Sequence, residues 1–416
     1  MARFFGSQAF NVIRIRDFRY FLMFRSFLTM AALMQSVVVG WHIYSLTNDV
    51  LTLGLIGLAE VIPQVSIALF AGHFIDLWDR KKIIQYASVI LILGSAILVI
   101  YSLPAVDGYG RFGTVPIYIT IFLTGLVRGI LMPAHTALLS QLVTREQLTS
   151  ATTWTSTNWQ VAAVLGPAIG GLVYGFSGVT QAYSLIFIFY IAAFFLIMKV
   201  KAIRPLNAVR NGESIFNRIK EGIHFVFKNQ VLLGAFSLDM FAVFFGGAVA
   251  VLPVFASDVL KTGPEGLGVL RACPAIGAII MSSFLTLRPP VKNTGMYMLF
   301  AVGGFGFCMI LFAVSRNFYL SAAALLISGS LDNISVVVRA SVLQLFTPDE
   351  MKGRVAAVNS IFVGSSNELG AFESGVSARL IGLIPSVIFG GSMTLMAVLI
   401  SARKAPLLRK LSLDRF

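Results

Sequence analysis

Long apolar stretches alternate with short polar ones along the whole chain. Each stretch can supply the roughly 20 residues with which an α-helix crosses the hydrocarbon core of a bilayer. They cover residues 19–45, 53–76, 83–103, 115–142, 150–175, 180–199, 230–256, 265–287, 293–314, 318–345, 354–380 and 384–402. The pattern predicts an all-α membrane protein with twelve transmembrane helices.

Composition and charge agree with this prediction. The chain is 57% hydrophobic and 12% charged, whereas an ordinary soluble domain has about 25% charged residues. If the N-terminus is cytoplasmic, 24 of the 32 Lys and Arg residues fall in inner segments, and only Arg111, Lys261 and Arg316 fall in outer loops. Because Lys and Arg are enriched on the cytoplasmic side, both termini are predicted to be cytoplasmic. The same distribution explains the net charge of +14 without a nucleic-acid partner.

The longest inner segment divides the chain into two halves. Residues 214–227 within it have an amphipathic pattern, and such a helix is expected at the membrane surface beside anionic headgroups, with a plain tether as the alternative. The predicted domains are an N-terminal six-helix bundle (1–200), a cytoplasmic linker with this helix (201–229), a C-terminal six-helix bundle (230–402) and a basic cytoplasmic tail (403–416).

The two halves also resemble each other in sequence. Residues 141–144 (Gln-Leu-Val-Thr) recur as 344–347 (Gln-Leu-Phe-Thr), and residues 57–63 align with 268–274. A duplication of six helices is typical of transporters in which two bundles rock about a central site.

A glycine, an aspartate and a basic cluster follow the second apolar stretch. They are Gly72, Asp76, Arg80 and Lys81. Their spacing resembles the signature between helices 2 and 3 of the Major Facilitator Superfamily, with Leu77 in place of the usual base and Asp79 in place of the usual glycine. The resemblance implies that Gly72, Asp76 and Arg80 act in gating between states and do not bind substrate.

The fifth apolar stretch carries Gly166, Pro167, Gly170 and Gly171. Small residues let helices pack closely, and proline bends a helix. The stretch resembles the latter part of the antiporter motif of that superfamily, although Ala162 takes the place of the earlier glycine. The resemblance implies export, and plain tight packing in a transporter of either direction is the alternative.

Three further features resemble the superfamily, and two of them resemble one of its branches. Arg128 in the fourth stretch resembles an intramembrane arginine of the family, and Asp239 with residues 367–375 resembles the drug:proton antiporter branch, which includes the enterobactin exporter and macrolide-efflux proteins. The resemblance implies two six-helix bundles, with helices 1, 4, 7 and 10 lining a central cavity.

Ten charged residues fall inside the apolar stretches. They are Arg25, Glu60, Arg128, Asp239, Arg271, Asp332, Arg339, Glu368, Glu373 and Arg379. A charge at the bilayer centre costs roughly 2.5–3.5 kcal/mol, so such residues usually pair or face a water-filled path. Helices related by the duplication carry opposite signs, which predicts that Arg128 opposes Asp332 and that Glu60 and Arg271 form an outer gate. Ion pairs that only hold the bundles together are the alternative.

These residues receive predicted roles. The substrate cavity is assigned to Arg25, Arg128, Asp239 and Asp332, and proton coupling to Asp239, Asp332 and Glu368. A carboxyl group in apolar surroundings favours its protonated form, which makes a proton the expected coupling ion. Asp332 and Arg339 are seven residues apart and share a helix face. His42 and His135 are expected near helix ends, as surface or packing residues.

Several protein classes lack their sequence signatures. There is no phosphate-binding Gly-x-x-x-x-Gly-Lys-Ser/Thr loop and no His-Glu-x-x-His motif, and Cys273 and Cys308 show no disulfide or metal spacing. We therefore expect no enzyme activity, cofactor or metal.

The expected function is a secondary active transporter, a proton-coupled exporter of an amphiphilic siderophore or drug-like compound that works by alternating access. Its expected partners are that substrate, protons and membrane lipids, and it is expected as a monomer in a bacterial inner membrane. The alternatives are an importer or facilitator of a small metabolite and, from another class, a non-transporting receptor or lipid-binding scaffold.

Overall fold

A computed structural model describes residues 11–201, 215–288, 290 and 292–413, without the side chains of residues 69–77, 215–219, 349, 357, 360 and 361. All regular structure in the described residues is helical. We number the long helices α1 to α12 and name two shorter ones the linker helix and the tail helix. The long helices are Arg16–Thr47, Val50–Leu77, Arg80–Tyr101, Val115–Leu142, Leu148–Ser177, Val179–Lys199, Gln230–Gly246, Pro264–Leu287, Thr294–Val314, Phe318–Phe346, Asp349–Ile381 and Leu383–Lys404. The linker helix is Ile215–Lys228 and the tail helix is Pro406–Arg409.

Eleven helices in the described residues are long and apolar enough to cross a membrane. The chain is therefore a multi-pass membrane protein. The exception among the long helices is α11, which contains the predicted span 354–380 together with charged residues such as Glu368 and Glu373. The count of twelve spans and the cytoplasmic position of the termini stay predictions.

Polar caps and glycines mark several helix ends. The side chain of Asp79 accepts hydrogen bonds from the backbone N–H groups of Lys81 (2.9 Å) and Lys82 (3.4 Å) and so caps α3. Asn229 and Asn317 cap α7 and α10 in the same way. Such caps satisfy donors that have no partner within the helix.

The connections α5–α6 and α11–α12 are equivalent in the two halves. Each is made by one glycine, Gly178 (φ 95°) or Gly382 (φ 93°). A side chain is strained in this left-handed region, so glycine is the suitable residue at both turns. The repeated turn agrees with the duplication read from the sequence.

The chain divides into two compact units. Unit 1 comprises Met1–Leu46, Ala59–Arg210 and Gly263–Gly268, and unit 2 comprises Thr47–Leu58, Asn211–Thr262 and Val269–Phe416. Within unit 1, α3 packs on α4 and α6, and within unit 2, α9 packs on α10 and α12. The boundaries thus leave the first residues of α2 in unit 2 and those of α8 in unit 1. The four predicted domain ranges stay predictions.

Unit 2 has an apolar core that includes the segment predicted as a basic tail. Leu408 is fully buried and Leu411 nearly so, in one cluster with Val226 of the linker helix and Leu232 of α7. The backbone N–H of Gly295 donates to the carbonyl of Leu411 at 3.1 Å. The tail is therefore part of the packed unit as well as basic.

Candidate functional site

A buried ion pair joins α7 and α10 in unit 2. The carboxylate of Asp239 pairs with the guanidinium of Arg339, and both residues are buried. The hydroxyl of Ser335 donates to the other oxygen of the carboxylate, Oδ1, at 3.0 Å. Arg339 and Ser335 are four residues apart on α10, so both reach α7 from one helix face.

Asp332 extends the same polar face of α10. It lies three residues before Ser335 and seven before Arg339, spacings that place all three on one side of a helix. Asp332 is half-buried, and no ion-pair partner for it lies among the described residues. The face of α10 that binds Asp239 through Ser335 and Arg339 therefore also carries a second carboxylate, one turn away along the helix.

A second ion pair joins α2 and α4 in unit 1. Arg128 pairs with Glu60. The Arg128 side chain is 45% exposed and that of Glu60 is 16% exposed. Since a charge this exposed within an apolar helix is unfavourable against lipid, the Arg128 guanidinium is expected to face water.

The pairs seen within each unit differ from the pairs expected from the sequence, which join residues of different units and stay predictions. Glu60 was expected to meet Arg271 and pairs with Arg128; Arg128 was expected to meet Asp332. Arg339, which shares a helix face with Asp332, pairs with Asp239. In both units the paired residues come from two helices of the same unit, because their helices pack side by side. The duplication places charges correctly on equivalent helices but does not specify which neighbour each one meets.

Not all ten charges are buried. Arg379 is 62% exposed at the side chain and pairs with Asp49 at 3.1 Å, both in unit 2. Glu373 is half-buried and accepts a hydrogen bond of 2.6 Å from Ser377. Arg379 is in the last turn of α11, next to the segment that connects α1 and α2, and its position inside a membrane span stays a prediction.

Arg271 of α8 and Glu368 of α11 form a further charged site in unit 2. The two residues interact electrostatically. The Nε atom of Arg271 is buried and has no hydrogen-bond partner within the part of the chain that is described. The Glu368 backbone carbonyl also lies against Gly57, where an added Cβ would be 2.5 Å away.

The first half of α1 carries Arg25 and Ser26. Arg25 is half-buried and acts electrostatically on His135 of α4. The ring of His135 is buried and packs edge-on against Phe24 with centroids 5.5 Å apart. Ser26 donates a hydrogen bond to Asn158 of α5. His135 is thus a packing residue, as expected, but it lies inside its helix and not at an end.

A polar network in unit 1 was not predicted. Gln35 of α1 donates to Thr124 of α4 at 3.2 Å and accepts from the hydroxyl of Tyr190 of α6 at 3.3 Å. Seven residues further along α1, the buried ring of His42 is 3.0 Å from the hydroxyl of Tyr183, also on α6. The sequence does contain an indication of this network, because Gln35 and His42 are polar residues seven positions apart in an apolar helix and therefore lie on one face.

The glycines of α5 let neighbouring helices come close to its backbone. A Cβ added at Gly170 would be 3.1 Å from the Cα of Met34, and one added at Gly166 would be 2.9 Å from the Cβ of Leu33, both on α1. A Cβ added at Gly171 would be 2.7 Å from the Cα of Gly268 in α8. Pro167 is buried and its carbonyl also faces Gly268. The motif therefore packs two different helices within unit 1.

The residues for which gating was predicted from the sequence are only partly described. Gly72 and Asp76 belong to α2, but their side chains lie outside the described residues. Arg80 begins α3 and donates to the carbonyl of Ala137 in α4 at 3.1 Å. Asp79, which departs from the superfamily signature, takes the capping role described above.

Comparison with known proteins shows which family the chain belongs to. Residues 7–414 match the model of the MFS_3 family, described as transmembrane secretion effector. The enterobactin exporter EntS of Escherichia coli O1:K1 / APEC is 25% identical over 332 residues, which cover 74% of this chain and 77% of that protein.

Solved structures show the same fold. A D-xylose–proton symporter superposes with a TM-score of 0.73 at 12% identity, over 94% of this chain and 99% of the other. A bacterial homologue of the iron transporter ferroportin gives 0.70 at 14% identity, over 95% and 99%. At such identities the likeness extends to the fold alone.

Proposed function

Because the chain belongs to the transmembrane secretion effector family of the Major Facilitator Superfamily, a family of transporters and not of enzymes, we propose that it is a proton-coupled exporter. Its cargo is an amphiphilic siderophore or drug-like compound, moved by alternating access in a bacterial inner membrane. Both termini are cytoplasmic, and twelve spans cross the bilayer. The similarity to an enterobactin exporter supports the direction, and the glycine-rich segment of α5 agrees with it.

The proposal that transport is coupled to protons rests on the buried contact of Asp239 with Arg339 and Ser335. A buried ion pair is held by mutual attraction at the cost of desolvating both charges. Protonation of Asp239 removes that attraction and frees Arg339. Proton binding and the α7–α10 contact are thereby linked, as an antiporter requires. Asp332 on the same face of α10 and Glu368 in α11 are the further carboxylates assigned to coupling.

Cargo is recognised in this proposal by the charged residues Arg128 and Arg25. Arg128 pairs with Glu60 and its side chain is 45% exposed, and a planar guanidinium is suited to binding an anionic or phenolate group. The aromatic and aliphatic body of the cargo is accommodated by the apolar walls of the helices. A siderophore or a phenolic drug has this combination of groups.

Inverted membrane vesicles test the proposal. Respiration acidifies their lumen, and a proton-coupled exporter then carries cargo inwards as protons leave. Radiolabelled enterobactin and a macrolide serve as probes, with a lumenal pH dye to follow protons. We expect uptake that stops when a protonophore collapses the gradient, together with lumenal alkalinisation on addition of the probe.

Three outcomes count against the proposal. Uptake that is unaffected by the protonophore indicates a facilitator, and uptake only in right-side-out vesicles indicates an importer. Binding of the probes without any flux indicates a receptor or scaffold. Asp239→Asn and Asp332→Asn are compared with Asp107→Asn, a matched loss of a carboxylate in an interhelical segment outside the α7–α10 contact.

A further inference from the structure

The linker helix is fixed to unit 2 along one edge. Glu221 forms an ion pair with Arg354 near the start of α11. Gly222 packs on the same turn, since a Cβ added there would lie 2.9 Å from the Arg354 carbonyl oxygen. Val226, four residues on, is 1% exposed within the core of unit 2. The helix is therefore a docked element.

A second edge of this helix is apolar and uncovered. Ile223 and Phe227 are 39% and 58% exposed. They are four residues apart, and at about 100° per residue they lie on one stripe beside the docked edge. The linker helix ends at Lys228 and α7 begins at Gln230. Because α7 is apolar enough to cross a membrane, the stripe is expected near the depth at which the hydrocarbon-facing surface of α7 starts.

The third edge is basic. Lys220, His224 and Lys228 are exposed at four-residue spacing. Arg409 and Lys410, which follow the buried Leu408 of the tail, are exposed too. An apolar stripe beside a cationic one is the arrangement with which a helix lies in the interface of an anionic membrane.

We propose that the linker helix is a binding surface for anionic phospholipid, with Ile223 and Phe227 inserted among acyl chains and Lys220 and Lys228 on headgroup phosphates. The charge favours an anionic headgroup over a zwitterionic one, and continuity with α7 favours a lipid over a soluble protein. Lipid bound here is connected to α11 through the Glu221–Arg354 pair.

Lipid retention on the full chain tests the proposal. The purified protein is titrated with phosphatidylglycerol or phosphatidylcholine, and bound lipid is counted by native mass spectrometry. We expect a preference for phosphatidylglycerol, and the double variant Lys220→Gln/Lys228→Gln should lower it about fivefold for each lysine removed. The control Lys261→Gln/Arg316→Gln removes the same charge from exposed loop residues and should keep the preference. An equal preference in all three proteins overturns the proposal.

A nitroxide label gives an independent measurement in vesicles of phosphatidylcholine mixed with phosphatidylglycerol. Both native cysteines are buried, so a label introduced by Phe227→Cys or His224→Cys reports its own site. We expect oxygen to relax the label at 227 and a water-soluble nickel chelate to relax the label at 224. Equal access of the chelate to both sites overturns the proposal and indicates a protein partner on a water-facing helix. Thermal unfolding of each variant confirms that it is folded.

Discussion

Gly171 of α5 and Gly268 of α8 are in backbone contact, and a Cβ added at Gly171 would lie 2.7 Å from the Cα of Gly268. Gly171→Ala should therefore force the two helices apart, at a cost of about 1–3 kcal/mol typical of overpacking. A lower midpoint of thermal unfolding in detergent is the expected result. Gly353→Ala is the control, since a Cβ there meets nothing within 4 Å. An unchanged midpoint for Gly171→Ala would mean that the helices separate without cost.

The Asp239–Arg339 pair should behave as a coupled unit in a double-mutant cycle. Either Asp239→Asn or Arg339→Gln leaves one polar or charged partner buried alone, at a cost of about 3–5 kcal/mol. The double variant should be destabilised by clearly less than the sum of the single variants. Denaturant unfolding of the three variants measures this coupling. Additive effects would show that the pair contributes nothing as a pair.

The Glu60–Arg128 pair should matter more to transport than to stability. Because Arg128 is 45% exposed, the loss of its partner in Glu60→Gln should cost about 1 kcal/mol or less. Arg128→Gln should reduce cargo binding in equilibrium dialysis while the protein stays folded.

Charge reversal distinguishes the two partners considered for Arg128. A single reversal, unlike a neutralisation, places two like charges side by side, and the swap Glu60→Arg/Arg128→Glu should restore the yield of folded protein that either single reversal loses to this repulsion. The swap Arg128→Asp/Asp332→Arg should not, because it leaves Glu60 beside an aspartate within unit 1. Rescue by the second swap alone would support the pairing expected from the sequence. Yields of folded protein after gel filtration provide the measurement.

Arg80 is expected to affect the rate of switching between states. Arg80→Gln weakens the hydrogen bond to the Ala137 carbonyl and removes the positive charge at the start of α3. Transport turnover should fall while the affinity for cargo changes little, and Asp76→Asn should act in the same direction. Lys82→Gln, in the same turn, controls for the lost charge. A large loss of affinity at unchanged turnover would assign this segment to cargo binding.

The tail offers neighbouring residues with opposite environments. Leu408 is fully buried in the core of unit 2, whereas Leu407 is 55% exposed. Leu408→Ala should cost about 2–5 kcal/mol, and Leu407→Ala should be nearly neutral. Thermal unfolding of both variants compares them directly. Equal effects would mean that the tail is not packed in the membrane-embedded protein.

The pattern of apolar and polar residues was sufficient to predict the long helices and their order along the chain, because each apolar span is a local property of about 20 residues. The sequence also indicated close packing at Gly166, Gly170 and Gly171, since a small residue in an apolar helix is typical of a position where a neighbouring helix comes close. It could not show whether α11 crosses the bilayer, because the charged residues of that helix lower its apolarity below that of the other eleven.

The sequence could not show which charged residue pairs with which, and the reason is geometric. Duplication relates α4 to α10 and α2 to α8, but an ion pair depends on side-by-side packing and on depth in the helix. Glu60 meets Arg128, and Asp239 meets Arg339, within their own units. Gln35 was missed because it carries no charge that interrupts the apolar pattern, and the hydrogen bond of His42 to Tyr183 was missed because the sequence does not show which helices meet.

Leu408 and Leu411 share their core with Val226 of the linker helix, although nearly half of the chain separates these residues in sequence. During synthesis this core therefore cannot be completed until residue 411 has been made. A nascent chain that stops before residue 405 leaves Leu232 without these two neighbours, and we expect it to be cleaved by proteases faster than a chain that includes them.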